Sequence, residues 1–361
     1  MITVTVNKRK VEVPEGATIL DAAKQLGIDI PTFCFVDRTR FSKRCDEYGS
    51  CKTCDDCKIC SVEVEGVDGL PTACGNECEE GMVIWTETTN VINARKEILL
   101  QKLVRHPRDC MNCGKLGECK LQLYCEKYEV EEPLYKIPFE PQPVDDTTKF
   151  YTYDADKCIS CGKCVRVCGQ LVAEDAIKMA QYGTYARMLP KSGENLGESD
   201  CRHCGNCVSY CPVGALMPKS EHKYRMWETT KVRTTCPYCG VGCQMDLLVK
   251  DDKVVGVQPA EGRSNEGMLC VKGKFAYDFI NHPSRLTEPL VRNADGVLQP
   301  ATWEEALSVV ANKIKEIKES DGPDKIMGLS SARITIEDNY MFQKFMRAVV
   351  GTNNVDHCAR L

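Results

Sequence analysis

Hydrophobic and polar residues alternate along the start of the chain and then change to a helical period. Residues 2–6 and 11–13 alternate on either side of a polar turn, which predicts a β-hairpin. The next segment predicts a helix, because Thr18 and Asp21 have the spacing of a capping box, an apolar stripe follows them, and Gly27 ends it. A hairpin followed by a helix is therefore expected in the first module.

Apolar periodicity returns in two later parts of the chain. Residues 91–104 predict another helix. Farther on, Thr302 and Glu305 form a second capping-box pattern in front of a helical stripe. Residues 326–329 then predict a short buried strand, and residues 336–350 predict a helix. Alternating helix and strand is typical of the start of a doubly wound α/β domain.

Cysteine dominates the composition, with 25 among 361 residues. The length predicts two or three domains, and so many cysteines favour several small modules stabilised by metal. No apolar signal segment is found, so we expect a cytoplasmic protein whose thiols bind metal and do not form disulfides. A net charge of −5 with mixed signs gives no nucleic-acid footprint. No apolar run approaches the roughly 18 residues of a membrane span.

Four cysteines with the spacing C-x2-C-x3-C-x26-C form the last of several cysteine motifs along the chain. They are Cys236, Cys239, Cys243 and Cys270, and Val271-Lys272-Gly273 follows at once. Four thiolates hold either one tetrahedral zinc or one 4Fe–4S cluster, since soft sulfur ligands select these metals. Spacing alone leaves both possibilities open.

Three upstream motifs favour iron–sulfur clusters over zinc. Two runs with the spacing C-x2-C-x2-C-x3-C repeat each other, beginning at Cys158 and at Cys201. A string with the spacing His-x3-Cys-x2-Cys-x5-Cys begins at His106. A histidine at a fixed offset from three cysteines is able to replace a thiolate on iron, as in Rieske centres. Together these motifs indicate a series of redox centres.

The motifs resemble known iron–sulfur modules. The repeat is similar to bacterial two-cluster ferredoxins. The hairpin, the helix and the cysteines up to Cys74 resemble the plant-type 2Fe–2S ferredoxin of β-grasp fold found in complex I's large iron–sulfur subunit. The string at His106 resembles the His-ligated 4Fe–4S motif of that subunit, of the longer iron-only hydrogenases and of NAD-linked formate dehydrogenases. Residues 236–273 resemble the N-terminal cluster domain of the molybdenum or tungsten bis-pterin oxidoreductases, with formate dehydrogenases most similar.

The resemblance implies one 2Fe–2S cluster and four 4Fe–4S clusters. In ferredoxins of the repeat type, the fourth cysteine of each run binds the cluster of the other run. The implied ligands, centre by centre, are Cys34, Cys57, Cys60 and Cys74; His106, Cys110, Cys113 and Cys119; Cys158, Cys161, Cys164 and Cys211; Cys201, Cys204, Cys207 and Cys168; and Cys236, Cys239, Cys243 and Cys270.

Two cysteines are candidates for the first ligand of the 2Fe–2S centre. Cys34 is separated from Cys57 by more residues than in the ferredoxins that this module resembles, so Cys45 is an alternative. Spare reduced thiols are favoured over an additional metal site in this region, and Cys125 is interpreted as a packing residue. The unassigned cysteines are Cys45, Cys51, Cys54, Cys78, Cys125 and Cys358.

Two basic residues are expected at the pterin. On general grounds Lys272 is a solvated surface charge, but its position two residues after Cys270 matches the family lysine that lies between cluster and pterin, which implies an electron relay. Arg333 is assigned to cofactor binding. The cofactor that the resemblance implies is bis-molybdopterin guanine dinucleotide with molybdenum or tungsten.

The predicted fold class is an α+β multidomain iron–sulfur protein. The predicted domains are 1–80, of the 2Fe–2S β-grasp type; 81–130, the His/Cys-ligated module; 131–149, a proline-containing linker; 150–220, the two-cluster ferredoxin type; 230–285, the 4Fe–4S domain of the pterin oxidoreductases; and 286–361, the first part of their α/β domain.

The resemblance implies the electron-transferring part of a cytoplasmic formate dehydrogenase, which interconverts formate and CO2 and exchanges electrons with NAD(P) or ferredoxin through flavin and iron–sulfur partner subunits. One alternative is a subunit like complex I's large subunit or a hydrogenase-linked NADH oxidoreductase. The cysteines from Cys236 to Cys270 argue against the hydrogenase, and residues 351–361 argue against complex I. Another alternative is a pure electron-transfer subunit, because no acid–base or nucleophilic constellation stands in the chain.

Residues 329–361 are similar to the segment that leads to the active-site metal ligand of formate dehydrogenases. In that family the ligand is cysteine or selenocysteine. We therefore expect the metal ligand directly after Leu361, with selenocysteine at position 362, and we expect the 361-residue chain alone not to oxidise formate.

Overall fold

The computed structural model describes residues 1–37, 57–133, 137, 140–182, 185–220 and 223–359. Three of the unassigned cysteines, Cys45, Cys51 and Cys54, lie outside the described residues, as does Leu361. The structure therefore describes the surroundings of Cys34, but not those of Cys45, the alternative first ligand of the 2Fe–2S centre.

A four-stranded sheet forms the first module. Its strands are β1 (Ile2–Val6), β2 (Arg9–Val13), β3 (Glu63–Val64) and β4 (Val83–Trp85). The order is β2-β1-β4-β3, with β1 and β2 antiparallel and β1 and β4 parallel. Asn7 and Lys8 have positive φ, as both central residues of a type I′ hairpin turn require. The predicted hairpin is confirmed.

Helix α1 (Ile19–Gln25) packs its apolar side into the same core as the sheet. Its first turn is closed by a capping box, in which Thr18 Oγ1 accepts from the Asp21 N–H and the Asp21 carboxylate accepts from the Thr18 N–H. This arrangement satisfies backbone donors that have no partner inside the helix. The predicted helix and its cap are confirmed.

Helix α2 (Thr89–Leu103) carries a fully buried arginine. The Arg95 guanidinium donates to Glu87 Oε1 at 3.0 Å, to Tyr128 Oη at 2.8 Å and to the Ser61 carbonyl at 3.0 Å. Ser61 directly follows a predicted cluster ligand. Arg95 therefore joins α2 to the cysteine loop of the first module.

Helix α3 (Lys120–Lys127) contacts the same module from another side. Tyr124 Oη accepts from the Thr32 N–H at 3.1 Å, and the Tyr124 ring lies 5.2 Å from the Phe33 ring. Both contacts lie just before Cys34. The segment after the His106 string thus helps to position the first predicted ligand.

The cysteine repeat folds into short strands and helices. They are β5 (Tyr151–Tyr153), α4 (Lys163–Arg166), β6 (Ile177–Tyr182), β7 (Tyr185–Pro190), α5 (Asn206–Tyr210) and β8 (Leu216–Pro218). Strand β5 pairs with β8, and β6 pairs with β7, both antiparallel. Each helix follows a glycine with positive φ, Gly162 at +68° and Gly205 at +77°. Glycine adopts this conformation without steric cost.

The last cysteine motif lies on a three-stranded antiparallel sheet. Its strands are β9 (Thr230–Thr235), β10 (Gln244–Lys250) and β11 (Lys253–Pro259), with β10 in the centre. Helix α6 (Val271–Phe275) begins directly after Cys270. The Phe275 ring stacks on Phe150 with centroids 5.3 Å apart, so this sheet packs against the repeat module.

The remaining elements form two small sheets and two helices. They are β12 (Leu290–Arg292), β13 (Leu298–Pro300), α7 (Trp303–Ser320), β14 (Gly328–Ser330), α8 (Ile336–Phe345) and β15 (Val355–His357). The capping box of Thr302 and Glu305 is confirmed. A strand is present at Gly328–Ser330, close to the predicted 326–329, but the prediction that it is buried is wrong for Leu329, which is 73% exposed. Within the described residues, no helix is both long and apolar enough to cross a membrane.

Candidate iron–sulfur centres

The cysteines assigned to the 2Fe–2S centre meet in the core of the first module. The Sγ atoms of Cys60 and Cys74 are 3.3 Å apart. A hydrogen bond from Cys34 lowers the pKa of Cys57 to about 6. All four residues are buried. Paired thiols in a water-poor site, one with lowered thiol pKa, suit iron ligation, and the contact with Cys57 supports Cys34 as the first ligand.

His106 lies in a small pocket with the three cysteines of its motif. Cys110, Cys113 and Cys119 line this pocket together with Gly214. Burial and the charge of Lys157 lower the pKa of His106 to about 4, so its ring is neutral at pH 7. The buried Nδ1 of His106 has no hydrogen-bond partner. An orphaned buried polar atom is rare, and a metal ligand position explains it.

Because Gly214 has no side chain, the Cys113 sulfur has space beside it in this pocket. A Cβ atom at Gly214 would lie 2.5 Å from Cys113 Sγ, which is too close for any real contact. We expect Gly214→Ala to displace this sulfur and to lower the iron content of the reconstituted chain by about four atoms. Iron analysis and electron paramagnetic resonance (EPR) measure this. Gly240→Ala is the control, because its Cβ would meet nothing within 4 Å; full iron in Gly214→Ala would contradict the assignment.

The first half of the repeat shares a pocket with the last cysteine of the second half. Cys158, Cys161 and Cys164 line this pocket together with Cys211. This grouping is the crossed arrangement expected of two-cluster ferredoxins. Burial raises the pKa of Cys161 to about 12, so a thiolate there needs a nearby positive charge, which bound iron supplies.

The other crossed set also comes together. After the larger effect of burial, the charges of Cys201 and Cys204 raise the pKa of Cys168. Burial and the charges of Cys204, Cys201 and Cys168 raise the pKa of Cys207. Mutual influence of this kind requires the thiols to be neighbours. Cys168 therefore lies with the second run, although it belongs to the first run in sequence.

Two tyrosines of β5 contact one predicted ligand each, and sequence reasoning missed both. Tyr151 Oη lies 3.4 Å from Cys201 Sγ, and Tyr153 is hydrogen-bonded to Cys158. Residues two apart on a strand point to the same face of the sheet, so the spacing of the two tyrosines could have indicated that both face the cysteines. Hydrogen bonds to cluster sulfurs raise reduction potential, which makes both tyrosines candidates for that role.

The last motif is the most open of the groups. Burial and the charges of Cys236, Cys239 and Cys270 raise the pKa of Cys243, so the four thiols are neighbours. The Cys236 N–H donates to the Cys243 carbonyl at 2.8 Å. Cys239 and Cys270 are exposed. This group thus presents two of its thiols to solvent in the described chain.

The basic residues near the last motif differ in burial. Lys272 is exposed. Arg333 is exposed as well, and its N–H donates to Ser331 Oγ at 3.1 Å. Lys274, which sequence reasoning missed, is buried and donates to the Val257 carbonyl at 2.9 Å. Burial lowers the pKa of Lys274 to about 8. The short helix after Cys270 therefore turns one lysine outward and another one inward.

The unassigned cysteines that the structure describes differ in their surroundings. Cys78 is buried in the core of the first module and Cys125 is half-buried. Burial raises the pKa of each to about 11, so both are neutral thiols at pH 7. Cys358 is exposed and lies 3.9 Å from Ser331 Oγ. Hydrogen bonds from the Ala332 backbone and the Ser331 side chain lower the pKa of Cys358, but this thiol is exposed, unlike Cys57.

The donor sets fit iron–sulfur clusters. Four of the five groups consist of four cysteines each, and the fifth combines His106 with three cysteines. Thiolates and, less often, imidazole are the protein ligands of iron–sulfur clusters. The orphaned buried nitrogen of His106 agrees with a ligand position in the fifth group. The fold and these sites define an iron–sulfur electron-transfer protein.

Five family models match the chain in order. They are a 2Fe-2S iron-sulfur cluster binding domain over 1–89, the NADH-ubiquinone oxidoreductase-G iron-sulfur binding region over 95–133, a 4Fe-4S dicluster domain over 150–212, the molybdopterin oxidoreductase Fe4S4 domain over 229–282 and molybdopterin oxidoreductase over 285–361. The predicted fold class and module order are confirmed. The chain combines iron–sulfur domains like those of complex I's large iron–sulfur subunit with molybdopterin oxidoreductase domains.

Curated relatives share this combination. The chain is 36% identical to the NADPH-Fe(3+) oxidoreductase subunit alpha of Geobacter sulfurreducens over 362 aligned positions, covering 100% of the chain and 40% of that protein. It is also 36% identical to an NADH-quinone oxidoreductase subunit of Rhizobium meliloti, with the same coverage. A Staphylococcus aureus protein with a provisional formate dehydrogenase name is 30% identical, with 99% and 39% coverage. The chain thus spans about 40% of the length of these relatives.

A solved structure shares the fold of part of the chain. A crystal structure of an NAD+-reducing [NiFe]-hydrogenase in its H2-reduced state superposes with a TM-score of 0.52 at 24% identity. The match covers 60% of this chain and 87% of that chain. At this level of identity the similarity concerns the fold alone.

Proposed function

We propose that this chain is the electron-transferring part of a formate dehydrogenase, coupled to NAD(P) or ferredoxin through flavin and iron–sulfur partner subunits. The observation on which the proposal depends is that the molybdopterin oxidoreductase Fe4S4 domain packs directly on the two-cluster module, with Phe275 stacked on Phe150. Such packing gives a cofactor at the pterin site a neighbouring redox module. The formate dehydrogenase name of one relative supports the choice of substrate.

The chain's own residues have definite roles in this function. The five ligand sets implied by the sequence would hold one 2Fe–2S and four 4Fe–4S clusters, which accept and release single electrons when bound. The apolar walls of the Cys158 pocket exclude water, and Tyr151 and Tyr153 present hydroxyls to ligand sulfurs. Burial and hydrogen bonding of this kind determine reduction potentials.

Lys272 and Arg333 are the two residues that we expect to contact the pterin cofactor. The exposed Lys272 side chain is available to a cofactor placed against Cys270, as its position in the family implies. Arg333 would bind the same cofactor, a bis-molybdopterin guanine dinucleotide with molybdenum or tungsten. Selenocysteine or cysteine as the metal ligand, and cytoplasmic location, remain predictions from the sequence.

A direct assay tests the substrate. The protein that contains this chain is purified anaerobically with its partner subunits, and reduction of a viologen dye is followed with formate. We expect formate-dependent reduction by that assembly and none by the 361-residue chain alone. Loaded clusters without any formate-dependent activity in the assembly would exclude formate dehydrogenase.

A second candidate function is an NAD(P)H oxidoreductase subunit of the complex I type or one linked to a hydrogenase. The two relatives at 36% identity favour it through their names, which are an NADPH-Fe(3+) oxidoreductase and an NADH-quinone oxidoreductase. In the same assay, dye reduction with NAD(P)H but not with formate would select this candidate. Reduction by neither donor would select a stand-alone electron-transfer subunit.

Lys272 gives a mutational test of the pterin side. We expect Lys272→Met to retain full iron content and to lower formate-dependent turnover about tenfold or more, because the ammonium between cluster and pterin would be lost; tenfold corresponds to about 1.4 kcal/mol in the barrier. Lys253→Met is the control, since Lys253 is also exposed in the same domain but lies on β11. Equal turnover in both variants would make Lys272 an ordinary surface charge.

A further inference from the structure

Asn206 contacts two predicted cluster segments at once. Its side chain is buried, with 5% of the residue exposed. Its Nδ2 lies 3.4 Å from Cys204 Sγ and donates to the Leu269 carbonyl at 3.0 Å, while its Oδ1 accepts from the Leu269 N–H at 3.2 Å. Leu269 directly precedes Cys270. One amide therefore joins a ligand of the two-cluster module to the ligand segment of the last centre.

The repeat shows that this contact is specific to the second half. Lys163 occupies the equivalent position, between Cys161 and Cys164. That half faces another centre, since the charge of Cys34 acts on Lys163 and Arg166 donates to the Cys34 carbonyl at 3.1 Å. Each half thus places the same loop against a neighbouring cysteine segment. At this position the second half has an amide, which bonds both a ligand sulfur and the neighbouring backbone, whereas the first half has an ammonium group.

Close packing holds Asn206 in place. The glycine before it, Gly205, has no room for a side chain, because a Cβ there would lie 2.5 Å from the Phe275 ring and 3.1 Å from the Lys274 side chain. Both of these residues belong to α6, which follows Cys270. The loop of Asn206 and the helix of the last motif are therefore in direct contact, and no water layer separates them at this point.

We propose that Asn206 is a positioning residue that couples the centre of Cys201, Cys204, Cys207 and Cys168 to the centre of Cys270. Its N–H group adjusts the reduction potential of the first centre, and its paired bonds to Leu269 fix the second centre against it. The inference rests on the cluster assignment of the proposed function. Reduction adds one electron to the cluster and changes no covalent bond or proton at Asn206.

The expected direction follows from electrostatics. A cluster becomes more negative when it is reduced, so a hydrogen bond to one of its thiolates stabilises the reduced form more than the oxidised form. Removal of the Asn206 amide should therefore make the potential of this centre more negative. We expect Asn206→Leu to change the one-electron equilibrium about tenfold, which is about 59 mV.

The experiment is an EPR-monitored redox titration of the anaerobically reconstituted chain. The signal of the centre is identified by its loss in Cys204→Ala. In Asn206→Leu we expect full iron content, a more negative midpoint for that signal and a weaker magnetic interaction between that centre and the centre of Cys270. Asn206→Asp keeps the size and the acceptor for the Leu269 N–H, removes the amide donor and adds a negative charge beside the sulfur, so it should shift the midpoint farther in the same direction.

Asn265 provides the matched control. It is also buried, and its Nδ2 donates to three backbone carbonyls and to no sulfur. Asn265→Leu should leave the midpoint of the Cys204 signal unchanged. If Asn206 had a purely structural role, the Asn206 variants would leave that midpoint unchanged as well. Unchanged midpoints in both Asn206 variants, or loss of the centre in both, would overturn the inference. Absence of clusters in the unmodified chain would instead overturn the proposed function.

Discussion

Cys211→Ala is expected to remove the cluster of the first cysteine run and to leave that of the second run intact. Cys211 lies in the second run, but it lines the same pocket as Cys158, Cys161 and Cys164. The reconstituted variant should lose about four iron atoms. Its missing EPR signal should be the one missing in Cys158→Ala, and combining the two substitutions should remove nothing more.

Cys168→Ala is the mirror-image experiment. It should remove the signal that is missing in Cys201→Ala, because Cys168 lies beside Cys201 and Cys204. Cys125→Ala, outside all assigned sets, should retain all iron. Loss of the same signal in Cys211→Ala and Cys201→Ala would show that each run binds its own cluster, contrary to the crossed arrangement.

Arg95→Met is expected to lower the free energy of unfolding of the first module by about 1–3 kcal/mol, the usual cost of leaving a buried polar group without its hydrogen-bond partner. The substitution removes the donor to the Ser61 carbonyl and one of the two hydrogen bonds of the Tyr128 hydroxyl, which keeps its bond to Glu87. Chemical denaturation measures the change, followed by tryptophan fluorescence in a background with Trp227→Phe and Trp303→Phe, which leaves Trp85 on β4 as the fluorophore.

Lys127→Met is the matched control for Arg95. Lys127 pairs with the same carboxylate, Glu87, at 3.7 Å, but it does so at the surface. Exposed ion pairs contribute only about 0–1 kcal/mol, so this variant should unfold almost like the unmodified chain. Similar effects of the two substitutions would mean that the surface charge of Glu87, and not the buried network, stabilises the module.

Local signals in the sequence predicted local structure correctly. The capping boxes at Thr18 and Thr302 depend on residues three positions apart, and both are present. The crossed grouping of Cys211 also agreed with the repeat, although the ligand assignments themselves stay predictions. Burial in the final segment was predicted less well, because Leu307 and Leu329 are 60% and 73% exposed in the described chain. An apolar stripe indicates which face of a helix is hydrophobic, but it does not indicate what covers that face.

The residues that sequence reasoning missed depend on partners far away in the chain. Asn206 bonds with Leu269, which is 63 positions away, and Arg95 bonds with Tyr128, which is 33 positions away. Neither residue type is diagnostic by itself: a polar residue beside cysteines and an arginine on a helix are both most often solvated. Only the packed fold shows that these two are buried and bonded.

The ligands of the two-cluster module and those of the last motif differ in their access to solvent. Cys161 and Cys211 are buried beside apolar side chains, and Cys158 and Cys164 are half-buried. Loss of this cluster to a chelator therefore depends on how often the module opens, which is a kinetic property. We expect the cluster of the last motif, where Cys239 and Cys270 are exposed, to be lost first.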